Sequence, residues 1–504
     1  MSNATEALIA ADGSEPLHSP ESQGMPSKAI SDYIAECGRF FPGGPAGCMH
    51  GFVIRRHGKV VAEGTWSPFD TLRVPHALYS HSKAFTSTAI GLIVDEGLVG
   101  LDERVIDIFP ESAPASPSEN LRQMRVRDLL TMNVGAPRDH ILANEVGSKG
   151  DWVRGFLAKE IANPPGTGFK YDSDATYVLA AIVERRSGRP MMELLRDRLF
   201  NRIVISNGTS DMSPDGIPCG GWGMRMTTRE ISRFGQLYLD KGLWNGERVL
   251  SREWTELATA RHTWSGWAHV GPQSVGEGTD WEQGYGFQFW RCHNDSFRAD
   301  GASGQYTIII PDKDAVVSIN ASVRDMQKEI DLVWEILLPA MGDKPLPENP
   351  AALAALRDGC WRLAVEPLRG AGRKPLPFDG MLFQLKGNPR GVKSLRVFDA
   401  GTDGWTLEID GQAGLQRIPV GDGGWAIGEL TLNPPSLDFI PGYASRSPVA
   451  ASGMTDDSGA FHLSCHLIRD VNRMDLDFAR ASDGSFAVSG GFWGMRGCAL
   501  EGVV

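Results

Sequence analysis

No stretch of this sequence approaches the roughly 20 consecutive apolar residues that a membrane-spanning helix needs. The greasiest segment, Ala89–Val94, ends at Asp95 and Glu96. The N-terminus, MSNATEALIAADGSEPLHSPESQ, has neither a basic start nor an apolar core and does not read as a secretory signal. It reads as a disordered leader over residues 1–26, and a cytoplasmic location is expected. There is no basic tract. Lys and Arg number 50 against 62 Asp and Glu, a net charge of −12, which argues against a nucleic-acid partner. CxxC pairs, HExxH and clustered Cys/His ligands are missing, so no metal is expected. The seven cysteines (Cys37, Cys48, Cys219, Cys292, Cys360, Cys465 and Cys498) are odd in number and widely spaced. They read as free thiols in a reducing compartment. A G-x-S-x-G elbow and a G-x-x-x-x-G-K-[ST] loop are both lacking, which argues against a standard α/β-hydrolase and a P-loop NTPase.

What remains is an ordinary globular composition over 504 residues, 41% hydrophobic and 22% charged, long enough for roughly two to four domains. Ile30, Tyr33, Ile34 and Cys37 share one helical face within 27–40. HGFVIRRHGKVVAEG (50–64) reads as a hairpin turning at His57–Gly58. A helix is expected from Tyr79 to Gly97. Residues 100–282 read as a mostly helical insertion with a Gly/Trp/Ser-rich loop at 261–282. Strand pattern returns at 284–292 and 296–300, and 305–321 forms a second hairpin. An amphipathic helix is expected over 325–341. Strands at both ends of 27–341 with helices between suggest one antiparallel sheet carrying an inserted helical domain. Residues 342–359 read as a linker with a short helix. Beyond it, LRVFDA, WTLEID, FHLSCHLI, MDLDFARA and SFAVSG alternate in polarity and are separated by Gly turns. A C-terminal antiparallel β-barrel or sandwich is therefore expected over 360–504.

Three elements could carry chemistry. The first is Ser80-His81-Ser82-Lys83, the one S-x-x-K considered. Roughly one chance match is expected in a chain of this length. Its position at a helix start places the Lys83 amine within reach of the Ser80 hydroxyl. A lysine in a dry pocket can serve as a base. The alternative is that Ser80 caps the helix and Lys83 is solvated. The second is Tyr171, which follows a Pro/Gly turn and stands two residues before Ser173. Held near a cationic lysine its hydroxyl can be a phenolate or a proton relay, or the ring can simply pack. The third is the small-residue stretch Gly301-Ala302-Ser303-Gly304 before a buried strand, where backbone N–H groups can meet an oxyanion or merely turn the chain. Trp222, Trp281, Tyr285, Phe287 and Trp290 are candidates for cleft walls. His81, about 100° round the helix from Ser80, is given no role. Asp172 and Asp174 suit a helix N-terminus.

In this order and on these elements, the chain resembles the serine β-lactamase and penicillin-binding-protein superfamily, and within it the class C β-lactamase-like branch of family VIII carboxylesterases, D-aminopeptidases and 6-aminohexanoate-dimer hydrolases. YSHSKAFTSTAIGLIVDEGLVGLDERVIDIFPE, MRVRDLLTMNVG and GGWGMRMTTREISRFGQLYLDKGLWNG carry the resemblance over roughly 27–341. It implies a β-lactamase/transpeptidase-like α/β fold: an antiparallel sheet flanked by helices, with the helical insertion. It implies Ser80 as acylated nucleophile, Lys83 as its base and Tyr171 as the second proton carrier. Tyr171-Asp172-Ser173 stands where relatives have Tyr-x-Asn. The Lys-Thr-Gly or His-x-Gly strand motif falls near Ala302-Ser303-Gly304, with the N–H groups of Ser80 and Gln305 as oxyanion donors. Ser173 for Asn, which can still hydrogen-bond with shorter reach, and Ala302 for the cationic or imidazole residue are departures, and the loss at Ala302 weighs against β-lactams and cell-wall peptides.

The expected activity is hydrolysis of a small ester through a Ser-Lys-Tyr acyl-enzyme, without cofactor. Amide or cyclic-amide hydrolysis (β-lactamase, aminopeptidase or 6-aminohexanoate-dimer-hydrolase type) and acyl transfer are the alternatives. Outside the enzymes, the alternative is a catalytically silent scaffold. The expected partner is a small-molecule ester or amide, with no membrane and no nucleic acid, and self-association left open.

Overall fold

The computed structural model describes residues 13–137, 150–265, 278–401, 404–432, 445–493 and 498–504. Two compact units divide the chain. One comprises 1–40, 49–65 and 71–363, the other 41–48, 66–70 and 364–504.

The first unit is built on a six-stranded antiparallel sheet. Its strands are β1 (Met49–Arg56), β2 (Lys59–Thr65), β3 (Trp290–Arg291), β4 (Phe297–Gly301), β5 (Gln305–Ile310) and β6 (Ala315–Ala321), in the order β2-β1-β6-β5-β4-β3. The N-terminal hairpin therefore meets the C-terminal one at β1–β6, through pairs such as Phe52↔Ile319 and Ile54↔Val317. Every residue of β1, β5 and β6 is buried. That requires cover on both faces, and helices supply it. On one face α1 (Ser27–Phe40) sets Tyr33 edge-on to Phe52, with ring centroids 6.5 Å apart. The opposite face takes α6 (Thr228–Leu239), whose Gly235 approaches Thr307 and Val316 so closely that a Cβ would fall 2.5 Å from the threonine methyl.

Between β2 and β3 lies the helical block. It contains α2 (Ser82–Asp95), α3 (Val126–Leu130), α4 (Trp152–Leu157), α5 (Ser173–Ser187), α6 and α7 (Arg252–Thr259). α2 is buried almost all round, from Ser82 to Ile93. α8 (Met326–Leu332) and α9 (Pro350–Trp361) follow the sheet and pack with α1. Among the described residues no helix is long and apolar enough to cross a membrane, and none of the seven cysteines forms a disulfide.

Three expectations are corrected by the structure. The leader expected to be disordered over 1–26 is ordered in its second half. Residues 1–12 lie outside the described residues, but Glu15 pairs with Arg233 (2.9 Å) and with Arg55, and Glu21 receives the Ser27 N–H at 2.7 Å. Glu21 thus caps α1 from six residues upstream, beyond the reach of local capping patterns. The helix expected to open at Tyr79 instead begins with a single 3-10 turn over Tyr79–His81. The helix expected over 325–341 is broken, passing through a π-turn and then a 3-10 turn holding Pro339, whose missing N–H ends the ladder. Residues 342–359, read as a linker with a short helix, carry most of α9, which packs on α1 and β2.

The C-terminal unit is a β-barrel. β7 (Phe383–Leu385), β8 (Ser394–Asp399), β9 (Trp405–Gly411), β10 (Gly414–Asp422), β11 (Ala426–Leu432), β12 (Ser445–Thr455), β13 (Phe461–Leu467), β14 (Arg473–Arg480), β15 (Phe486–Trp493) and β16 (Cys498–Val503) form one continuous sheet. Nine of these strands close the ring, and β11 extends it as a hairpin arm on β12. The closure is a short parallel pairing of β10 with β12, Gly421↔Ser452 and Asp422↔Gly453. Closure removes the open edges of the nine ring strands. Phe378, Phe383, Trp405, Phe461 and Phe478 fill the interior.

Candidate active site

Ser80 sits in the tight turn that leads into α2. The residue before it, Tyr79, is held at φ 50°, a left-handed conformation that a bulky residue adopts only when its surroundings impose it. The surroundings are visible. Ser82 Oγ donates to Tyr79 O at 2.6 Å and accepts from Met224 N at 3.1 Å, while Leu78 N donates to Met224 O at 2.9 Å. The short pairing of His76–Ala77 with Arg225–Met226 anchors the approach to the turn. Ser80 is left partly exposed on this rigid support.

Lys83 lies one turn on and is almost completely buried. Its Nζ donates to Ser80 Oγ at 3.0 Å, Ser173 Oγ at 3.0 Å and Gly221 O at 2.7 Å. Burial lowers its pKa from 10.5 to about 7, against the opposing pull of Asp172, Asp174 and Asp300. The Tyr171 hydroxyl is hydrogen-bonded to Ser80, and burial pushes its pKa well above the usual phenol value. Lys83 Nζ also lies 4.7 Å from the Tyr171 ring centroid, and that ring stacks on Trp290 at 5.5 Å. Ser80 and Ser173, far apart in the chain, are thus brought to one amine.

The start of α5 delivers Tyr171 and Ser173. Asp172 is its N-cap, accepting from Asp174 N at 2.8 Å. The buried Lys159 holds Asp174 at 2.6 Å and Asp172 at 3.5 Å. Ser173 reaches Lys83 although it is shorter than asparagine, and Gly221 is packed against it: a Cβ on Gly221 would fall 2.7 Å from Ser173 O. Gly221 was missed by sequence reasoning. Its contribution is a backbone carbonyl, which no residue type advertises, although the small-residue run CGGWG marks a close approach of chains.

The strand motif shifts. Gly301 at the end of β4, rather than Gly304, abuts the Ser80 turn: a Cβ on Gly301 would fall 2.1 Å from Leu78 O and 3.2 Å from His81 N. Gly304 turns toward Glu329, whose Oε2 would be 2.2 Å from a Cβ there. Ala302 and Ser303 form the turn, with Ser303 at φ 64°. The Gln305 side chain is spent on the carbonyls of Ala302, Ser303 and Ala321 and on Asn320. The glycine that meets the nucleophile turn therefore stands earlier in the chain than the expected placement at 302–305. The sequence offers glycines at both 301 and 304, and only the tertiary contact separates them.

Of the expected wall residues, Tyr285 and Trp290 flank Tyr171, and Trp281 lies over Arg298 at 4.6 Å. Phe287 packs inward between Trp254 and His262, and Trp222 stacks on Trp152. His81 is buried, stacked on Phe85, with its pKa pushed down to about 3 by burial.

A family model described as Beta-lactamase matches residues 50–338. A 6-aminohexanoate-dimer hydrolase of Paenarthrobacter ureafaciens is 28% identical over 291 residues, 54% of this chain and 71% of the relative. Penicillin-binding protein 4 of Amycolatopsis lactamdurans is 27% identical over 334 residues, 56% of this chain and 84% of the relative. A Bacillus anthracis structure provisionally described as a 6-aminohexanoate-dimer hydrolase shares the fold at a TM-score of 0.51 and 19% identity, covering 68% of this chain and 89% of its own.

Proposed function

The chain belongs to the Beta-lactamase family, and from that premise we propose that it cleaves small esters through an acyl-enzyme formed on Ser80. Its class is a serine hydrolase acting on amide or ester bonds. The single observation that carries the acyl-enzyme reading is the Lys83 amine, buried and within 3.0 Å of Ser80 Oγ.

In the proposed mechanism neutral Lys83 takes the Ser80 proton as Oγ attacks the carbonyl carbon. Ser173 Oγ and Gly221 O accept two of the amine's hydrogens, which aims its lone pair at Ser80. The oxyanion meets backbone N–H groups at Ser80 and at the Gly301–Ala302 end of β4. The Tyr171 hydroxyl, hydrogen-bonded to Ser80, gives its proton to the leaving group and is reprotonated by the Lys83 ammonium, so both groups are neutral again in the acyl-enzyme. With its pKa raised, Tyr171 acts as a neutral relay and not as a phenolate. Water then attacks the acyl-enzyme by the reverse proton path and frees Ser80.

A second reading, amide hydrolysis, is favoured by the printed activity of the Paenarthrobacter relative. The test is steady-state kinetics on p-nitrophenyl butyrate, the matching p-nitroanilide and a chromogenic cephalosporin. Fast ester turnover with slow anilide and cephalosporin turnover supports the ester reading. An anilide rate equal to or above the ester rate overturns it in favour of the amide.

A further inference from the structure

Two histidines near the nucleophile turn have no part in the proposed mechanism. His50, in β1, and His76, in the short pairing that leads to Ser80, are both fully buried. His76 Nδ1 lies 3.0 Å from Ala77 O, His76 Nε2 lies 2.9 Å from His50 Nδ1, and His50 Nε2 lies 3.0 Å from Ser322 Oγ. A carbonyl only accepts, so His76 Nδ1 carries a proton and donates it to Ala77 O. With neither ring charged, His76 Nε2 is then an acceptor, His50 Nδ1 its donor, and His50 Nε2 the acceptor for the Ser322 hydroxyl. That arrangement satisfies all three bonds, and it makes both rings Nδ1–H tautomers.

The two ends of this chain of bonds reach the two sides of the proposed oxyanion site. At one end Ala77 pairs with Arg225, and Leu78 N donates to Met224 O. The Leu78 carbonyl accepts from His81 N at 3.1 Å and is the atom against which Gly301 packs. At the other end Ser322 follows β6, between two residues bonded to the strand motif. The Ala321 carbonyl accepts from Gln305 Nε2 at 2.6 Å, and Val323 N donates to Ser303 O at 3.1 Å. Ser303 belongs to the turn that follows Gly301. The path Ala77–His76–His50–Ser322 therefore fastens the approach to Ser80 to the turn beyond β4. Each buried bond along it is costly to leave unmade, so the path holds a distance as well as filling space.

We propose that His50 and His76 are positioning residues, a directional hydrogen-bonded brace that fixes the separation between the Ser80 N–H and the Gly301–Ala302 end of β4. The proposal rests on the Ser80 site described above. Both rings act through the backbone they hold and not on the substrate. The oxyanion charge develops only as the carbonyl is attacked, so a loosened brace lowers kcat and leaves KM nearly unchanged.

The experiment joins nitrogen NMR of protein labelled in its histidine rings with steady-state kinetics on p-nitrophenyl butyrate, both at about pH 8. The variants are His50→Phe, His76→Phe, His50→Asn and Ser322→Ala. In wild type the two ring signals that the histidine variants remove are expected to report Nδ1–H with Nε2 unprotonated. His50→Phe and His76→Phe are expected to lower kcat at least about tenfold, with KM within about twofold of wild type. His50→Asn places an amide nitrogen where Nδ1 stood, still donates to His76, and is expected to recover most of that loss. Ser322→Ala, at a half-buried position, cuts only the far end and is expected to lower kcat about threefold. An Nε2–H tautomer on either ring overturns the proposal. So does unchanged kcat in folded His76→Phe, or a loss confined to KM. If His50→Phe and His76→Phe do not fold, the tautomers and Ser322→Ala still decide, and unchanged kcat in Ser322→Ala overturns the brace. Ser80→Ala separates the two claims. Rates that survive it sink the Ser80 site, whereas rates that vanish in it while the histidine variants match wild type sink only this proposal.

Discussion

Acidification below pH 7 is expected to switch the enzyme off by protonating one amine. An ordinary lysine, with a pKa of 10.5, has only about one molecule in 3,000 neutral at pH 7. Burial of Lys83 lowers that pKa to about 7, so about half of the molecules hold the base ready. Because burial disfavours the charged form, activity rises with pH, with its midpoint near 7. Below about pH 6 kcat/KM falls tenfold per pH unit, so pH 5 retains about one fiftieth of the pH 7 value. Tyr171 adds no descending limb below its ordinary 10.0, since its pKa is raised. Asp300→Asn removes an anion that favours the ammonium and is expected to move the midpoint to lower pH. The assay is kcat/KM for p-nitrophenyl butyrate from about pH 5 to about pH 10, checked against the rate of fluorophosphonate labelling. A midpoint at about 9 or above, or a shift to higher pH in Asp300→Asn, refutes the reasoning.

Tyr171→Phe keeps the ring beside Lys83 and Trp290 but loses the hydroxyl, so kcat is expected to fall about 10²–10⁴-fold with little change in melting temperature. Lys83→Met abolishes activity. Its stability advantage over wild type is expected to shrink as pH rises from about 7 to 10.5, by up to about 1.4 kcal/mol per pH unit, because folded wild type then binds fewer protons than the unfolded chain. Denaturant titrations at about pH 7 and about pH 9.5 check this; a constant difference contradicts it. Gly301→Ala forces a Cβ onto Leu78 O and is expected to cut activity on p-nitrophenyl butyrate at least about a hundredfold. Gly387→Ala, with open space around it, is expected to leave that activity unchanged.

Much of this was legible in the sequence because period and punctuation agree. The β1–β2 hairpin turns at His57 and Gly58, both with positive φ, where the dipeptide predicts it. Helix α6 begins at a capping box of Thr227 and Glu230, a local signal that the sequence itself displays. Ser80, Lys83 and Tyr171 were nameable because each contributes a side chain of distinctive chemistry. What escaped was whatever depends on distant contacts. The Gly221 carbonyl is backbone, the Gly301 register is set by Leu78, and Glu21 caps a helix six residues away. The strand expected over 284–292 is reduced to Trp290–Arg291, because Tyr285 instead bridges to Thr263 in the loop. Arg298 and Asp300 read as ordinary charges in a strand, and only burial together makes them a pair.

The most direct measurement is the intact mass of the protein after exposure to a fluorophosphonate and, separately, to p-nitrophenyl acetate, followed by peptide mapping in wild type and Ser80→Ala. One adduct per chain, on the peptide holding Ser80 and absent from Ser80→Ala, with the acetyl adduct decaying on turnover, is the predicted result. An adduct on another residue, or none on folded protein with either reagent, contradicts it.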